Sequence, residues 1–212
     1  QKPRVSYRET VEKAVEVTGV CHRIVAGQPL WAELVIRMEP FPQAPKPVVV
    51  TVECGDALPP PFLKAALEVL EQQGEGGGTF GFPLMQVRVA VLGGRVHETE
   101  SNELAFRLAA ADAFDKALRE AGVVLLEPIM RLEVTVPEEY VGDVLSDLQQ
   151  RRAEIVRTTV RGKNTVIEAR APLANLFGYS NAMRSLSQGR ASCSIEPHSY
   201  GPAPAEVLES LL

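Results

Sequence analysis

The stretch LLEPIMRLEVTVPEEYVGDVLSDLQQRR, residues 125–152, changes its hydrophobic period partway along, and that change constrains the fold more than any other feature. Met130, Leu132, Val134 and Val136 alternate with Arg131, Glu133 and Thr135, the period-two pattern of a strand with one buried face. After Pro137 the period becomes helical. Tyr140, Val141, Val144, Leu145 and Leu148 recur at spacings of three and four, with Glu138 and Glu139 in a first turn where acidic groups suit the positive end of the helix dipole. A strand feeding directly into a helix opens a new folding unit near Glu127.

The next fifty residues complete that unit. AEIVRTTV (Ala153–Val160) reads as a strand, Arg161–Asn164 as a turn, TVIEARA (Thr165–Ala171) as a strand, Leu173–Leu186 as a helix and Ala191–Ile195 as a last strand. The order βαββαβ is the ferredoxin-like arrangement, an antiparallel four-stranded sheet with both helices on one face. The tail PAPAEVLESLL adds a short apolar helix, too small to be stable alone and expected to dock on a domain.

The first half reads as a mixed α/β unit with strands at Cys21–Val25, Ala32–Glu39, Val48–Glu53 and Leu84–Leu92. One helix follows Pro59-Pro60-Pro61, carries Phe62, Ala65, Ala66, Leu67, Val69 and Leu70 as a stripe, and stops at Gly74. A second runs from Glu103 to Ala121, with Ser101 and Asn102 as N-cap residues and Gly122 as its C-cap. Between them lies GEGGGTFGFP, residues 74–83. Its spacing fits neither GxxxxGK[ST] nor GxGxxG after a strand, so a flexible helix-to-strand connection is the reading.

At 212 residues, 45% hydrophobic and 23% charged, the chain has the composition of a soluble protein with one large or two small domains. No apolar run approaches the roughly 18–20 residues of a membrane span, and QKPRVSYRET is charged rather than signal-like, so a cytoplasmic protein is expected. Beginning at Gln1, it reads as a piece of something longer. Cys21, Cys54 and Cys193 suit buried reduced thiols, and His22, His97 and His198 are too scattered for a metal site. The net charge of −5 excludes a general nucleic-acid binder; an RNA partner would have to be met locally or by shape.

No GxSxG, HExxH or motif-paired Cys and His is present, and Asp112 with Asp115, like Asp143 with Asp147, reads as solvated helix surface. His97 stands apart. It lies in GGRVHETESNE, residues 93–103, a polar loop joining a strand to a capped helix.

Several separated motifs resemble one family in the right order. PRVSYRET at 3–10 is similar to the entry into domain IV of bacterial elongation factor G. GGRVHETESNELAF at 93–106 resembles a loop and helix start written there as DGSYHEVDSSEMAF. The 125–152 stretch resembles the opening of its domain V, and LFGYSNAMRSLSQGRAS at 176–192 resembles FGYATDLRSxTQGRGS. The resemblance covers essentially all 212 residues. It implies an α+β protein: an α/β domain IV at 1–126 with a left-handed βαβ crossover, a ferredoxin-like domain V at 127–200, and a C-terminal helix at 201–212 that packs back on domain IV.

The resemblance also implies a ribosomal role, with ribosomal, transfer and messenger RNA as partners, no membrane and a monomeric fragment. It implies no enzymatic activity and no cofactor in this fragment, GTP and magnesium belonging to an N-terminal GTPase domain of the parent. In the family two tip loops of domain IV reach the decoding region during translocation. By motif match they comprise Gly27, Gln28, Pro29 and Leu30, and His97, Glu98, Thr99, Ser101 and Asn102. Arg184, Gln188 and Arg190 match candidate ribosomal RNA contacts in domain V. The family's GGRGQYGH loop corresponds here to IVAGQPLWAEL, which keeps Gly27 and Gln28 but lacks the arginine, tyrosine and histidine. Without that arginine the loop lacks a phosphate-pairing fork. Trp31 can stack on a base or fill the core, and its lead into a strand favours the core. A paralogue acting in ribosome recycling or rescue is the alternative function; a small-molecule-binding or kinase-like domain using the glycine-rich loop is a more distant one.

Overall fold

The structure is a computed structural model that describes residues 5–212; of the PRVSYRET motif, Pro3 and Arg4 lie outside the described residues. The chain divides into two compact units, residues 8–125 in one and residues 126–212 together with the segment through Tyr7 in the other.

The first unit contains β1 (Arg8–Val11), β2 (Val15–Val25), β3 (Gln28–Pro40), β4 (Val48–Val52), α1 (Pro60–Glu75), β5 (Val87–Val96) and α2 (Glu103–Ala121). Its four-stranded sheet has the order β2-β3-β5-β4. β2, β3 and β5 pair antiparallel, while β4 pairs with β5 in parallel and reaches it through the crossover helix α1. Strict alternation puts Leu30, Ala32, Leu34, Ile36 and Met38 of β3 in the core beneath the helices and leaves Trp31, Glu33, Val35, Arg37 and Glu39 on the open face. α2 presents an alanine-rich side to the sheet, and Gly19 in β2 is what lets it approach. A Cβ on Gly19 would collide with the Ala109 carbonyl oxygen and with Ala113. That glycine interrupts the apolar pattern of β2, which is why the strand starts at Val15 rather than at Cys21.

The glycine-rich connection is pinned rather than loose. Glu9 of β1 is fully buried, and its carboxylate accepts hydrogen bonds from the backbone N–H groups of Phe80 (3.1 Å) and Phe82 (2.8 Å). Its own N–H donates to the Pro83 carbonyl, and its carbonyl accepts from the Met85 N–H. The loop therefore wraps a buried carboxylate supplied by its own chain. Asp112 is likewise more than solvated surface: its carboxylate accepts the Val20 N–H at 2.8 Å and pairs with Lys116 at 2.7 Å. Burial pushes the Asp112 carboxyl up, but Lys116 and the Val20 amide outweigh it and hold it below its ordinary value.

The second unit is ferredoxin-like. It comprises β6 (Val123–Pro137, which begins in the first unit's residues), α3 (Val141–Gln150), β7 (Glu154–Arg161), β8 (Asn164–Pro172), α4 (Tyr179–Leu186), β9 (Ser192–Pro202) and α5 (Ala205–Leu211). The strands order β9-β6-β8-β7, and all three pairings are antiparallel. Leu132, Val134 and Val136 face Val144 and Leu148 of α3 and Tyr179 and Met183 of α4, so the alternation and the helical stripe meet in one core. No residue of α5 is fully buried.

Other features differ from the sequence pattern. The helix expected at Leu173–Leu186 is a single 3-10 turn, then a break at Gly178 with φ of +76°, and only then α4. β9 runs past Ile195 to Pro202 because it is an edge strand, where proline costs no ladder bond between strands, and Pro197 lies beside a bulge opposite Ile129 and Met130. Of the cysteines only Cys21 is buried; Cys54 and Cys193 are partly exposed, and burial pushes the Cys193 thiol up to about 11. No helix among the described residues is long and apolar enough to cross a membrane.

Candidate nucleic-acid interface

At one end of the first unit the chain folds two segments against each other. The first is the β2–β3 hairpin, whose register pairs Val25 with Gln28 and leaves only Ala26 and Gly27 in the turn, at φ of 51° and 81°. Two successive left-handed residues suit the right-handed twist of the flanking strands. Gln28, Pro29 and Leu30 are thus part of β3 rather than of a loop, and Leu30 is buried in the core while Gln28 and Pro29 are exposed. Ala26 hid this turn from the sequence, since asparagine, aspartate or glycine is the usual signal there.

The second segment is the connection from β5 to α2. Asn102 caps the helix, its Oδ1 accepting the Ala105 N–H at 2.7 Å. Ser101 has a different task. Its Oγ donates to the Trp31 carbonyl at 2.6 Å and accepts the His97 N–H at 2.8 Å, while the Trp31 N–H donates to the Glu100 carbonyl at 2.9 Å. The loop takes the place of a strand beside the first residues of β3. His97 closes the turn from within: its Nδ1 accepts the N–H groups of Thr99 (3.2 Å) and Glu100 (3.1 Å). By that pattern the ring proton sits on Nε2. His97, Glu98 and Thr99 are exposed, and a shallow cavity of about 270 Å³ lies between Gln28–Leu30 and Thr99–Asn102.

Trp31 is not in the core. Its odd register in β3 places it on the open face, where its ring stacks on His22, centroids 4.9 Å apart and planes 17° apart. His97 meets the same ring at 6.1 Å and 50°, and the Arg95 guanidinium lies 5.8 Å from its centroid. Glu33 ties His22 (3.1 Å) and Arg95 (3.6 Å) together. The sequence signal was the alternation itself, which assigns Leu30 inward and Trp31 outward.

The model of elongation factor G domain IV matches residues 3–122, and that of the elongation factor G C-terminus matches 124–211. The chain belongs to the elongation factor G family. It is 38% identical to elongation factor G of Thermotoga maritima over 213 residues and 39% identical to that of Petrotoga mobilis over 215, in each case across 100% of this chain. The chain spans 31% of the length of these curated relatives. A crystal structure of a Thermus thermophilus protein is 35% identical and superposes with a TM-score of 0.79, covering 99% of this chain and 31% of that one. Membership places the chain among translation factors of the elongation factor G type, as their domain IV and C-terminal domain.

The second unit's candidate contacts sit on a turn organised by a buried serine. Ser187 Oγ donates to the Met183 carbonyl and accepts the Ala191 N–H, and Gln188 and Gly189 follow in left-handed conformation. Arg184, Gln188 and Arg190 are all exposed there. Arg190 is engaged by Glu139 at 2.6 Å, with the Tyr140 ring 5.8 Å away. The structure thus brings these three together on one turn, while the tip residues gather at the end of the other unit.

Proposed function

We propose that this chain is the ribosome-binding C-terminal part of a translational GTPase of the elongation factor G type, whose domain IV tip enters the decoding region and supports movement of transfer and messenger RNA. The observation that carries the reading is the joint between the tip segments. Ser101 and Glu100 bind both backbone polar groups of Trp31, which makes the hairpin and the loop of His97 a single exposed end. An end fixed in shape is what a charge-poor protein needs to meet structured RNA by fit rather than by a basic surface. GTP and magnesium belong in this reading to the N-terminal part of the parent, the fragment acts as a monomer, and the setting is the cytoplasm.

A kinase-like use of the glycine-rich loop is disfavoured by Glu9. The inward N–H groups of Phe80 and Phe82, which a phosphate would need, already serve that carboxylate. The second reading is a paralogue acting in recycling or rescue. It draws on the Trp31 cluster, which stands where the family carries an arginine, tyrosine and histidine.

Single-round translocation on a programmed ribosome, with the full-length parent and its His97→Ala variant, tests the proposal. A parent that moves messenger RNA and a variant slowed about tenfold, near 1.4 kcal/mol of barrier, support it. A parent that hydrolyses GTP on ribosomes and moves nothing would shift the assignment to recycling or rescue.

A further inference from the structure

The rings at the tip form a ladder. His97, Trp31 and His22 follow one another across β3 to β2, with centroid separations of 6.1 and 4.9 Å that are ordinary for interacting aromatic side chains. β2 is an edge strand of its sheet, so among the described residues no further strand lies beyond His22. The His22 side chain is 43% exposed and held by Glu33 through Nε2, which keeps its plane nearly parallel to that of Trp31. The ladder therefore has a fixed orientation and an open end. Arg95, 77% exposed and 5.8 Å from the Trp31 ring centroid, is the cation that flanks it.

We infer that His22, Trp31 and Arg95 form a stacking platform for an unpaired RNA base, with the base extending the ring ladder at His22 and the adjoining phosphate lying toward Arg95. The inference rests on the ribosomal reading above and deepens it by naming the mode of contact. Unstacked bases are the RNA feature that aromatic platforms recognise, and each such stack is worth roughly 1–3 kcal/mol. A protein partner fits the patch less well. Interface cores are depleted of charge, whereas the ladder is bordered by Glu33 and Arg95, with Ile24 its exposed aliphatic neighbour. A base needs only a π face and a nearby cation, both of which are present.

Trp31 is the sole tryptophan of this chain, so its emission, read after subtracting that of ribosomes alone, reports on the platform. The test titrates this chain with ribosomes programmed with messenger RNA and transfer RNA, following Trp31 fluorescence and binding by co-sedimentation, and then cross-links the complex by ultraviolet excitation. Strong quenching on binding, cross-links from Trp31 or His22 to an RNA base, and about tenfold weaker binding by Trp31→Ala are expected. Trp31→Phe should bind within about threefold of the parent sequence, since it restores a ring; His22→Ala should weaken binding several-fold with unchanged far-ultraviolet circular dichroism. Ribosome binding that persists with unchanged affinity in Trp31→Ala and His22→Ala, together with Trp31 emission of the unaltered chain that binding does not move, overturns the platform and leaves the ribosomal reading standing. Cross-links confined to ribosomal protein overturn the choice of RNA. Failure of the unaltered chain to bind ribosomes at all overturns both.

Discussion

The Ser101 hydroxyl lies 2.6 Å from the Trp31 carbonyl across 70 residues of chain, and through it a helix entry and a hairpin share one hydrogen-bond system. The same oxygen accepts the His97 amide, so one hydroxyl serves three parts of the tip. Removing it should loosen the tip without unfolding the domain. In Ser101→Ala the Trp31 and His97 amides should exchange with solvent about tenfold faster, corresponding to about 1.4 kcal/mol and within the range for a lost bond to a partly buried group. Amide exchange followed by nuclear magnetic resonance checks this, and unchanged protection at both amides would contradict it.

Glu9 is buried with its carboxylate bonded to two loop amides. Glu9→Gln keeps the shape, but one carbonyl oxygen must then serve both amides while an NH₂ group replaces the oxygen nearer the Phe80 N–H. A loss of about 1–3 kcal/mol is expected, measured by urea unfolding followed through Trp31 emission. A midpoint equal to that of the unaltered chain would show that the loop does not depend on the carboxylate.

Ala26 adopts a φ of 51° in the hairpin turn, a conformation that burdens a residue with a Cβ by about 1 kcal/mol. Ala26→Asn gives the Asn-Gly pair that such turns favour. The melting temperature of the first unit should rise by about 1–2 °C, from a gain of about 0.5 kcal/mol, whereas Ala26→Val should lower it. A scanning calorimeter distinguishes the two directions.

Asp112 gives a pH signature. Its carboxyl is held below its ordinary value in the folded chain, so its contribution is present above the unfolded value of about 4 and disappears as pH falls through the lower folded value. Because a third of the side chain is exposed, the effect should stay under about 1 kcal/mol. Stability measured between pH 6 and pH 3 should decline less steeply in Asp112→Asn. Parallel curves for the two proteins would assign the acid sensitivity elsewhere.

Much of the architecture was legible because local signals agreed with the tertiary outcome. α2 spans the expected Glu103–Ala121, since an amide cap, an apolar stripe and a terminal glycine all mark the same limits. β6 into α3 was readable from the period change, and the ferredoxin-like order follows from it. What escaped depended on tertiary partners. The expected strand began at Cys21, short of Gly19, which is a seat for α2; the last expected strand ended at Ile195, short of Pro197, which is tolerated on an edge. Asp112 looked solvated because its acceptor role is set by Val20, 92 residues away. At the tip, the family resemblance named the residues but not the geometry. Ser101 reads as a cap and acts as a bridge, and Trp31 reads as core until the alternation of β3 is followed to its end.

The long helix α2 starts at the tip and ends where the Ala121 carbonyl accepts the N–H groups of Glu12 and Lys13. At 1.5 Å per residue its 19 residues span about 28 Å. Gly19 lets its middle sit close against the sheet, where a Cβ would meet the Ala109 carbonyl oxygen and Ala113. A helix braced at both ends and notched at its centre behaves as a strut under axial load. The distance from the tip to the turn at Glu12 and Lys13 is thereby set by the length of one helix.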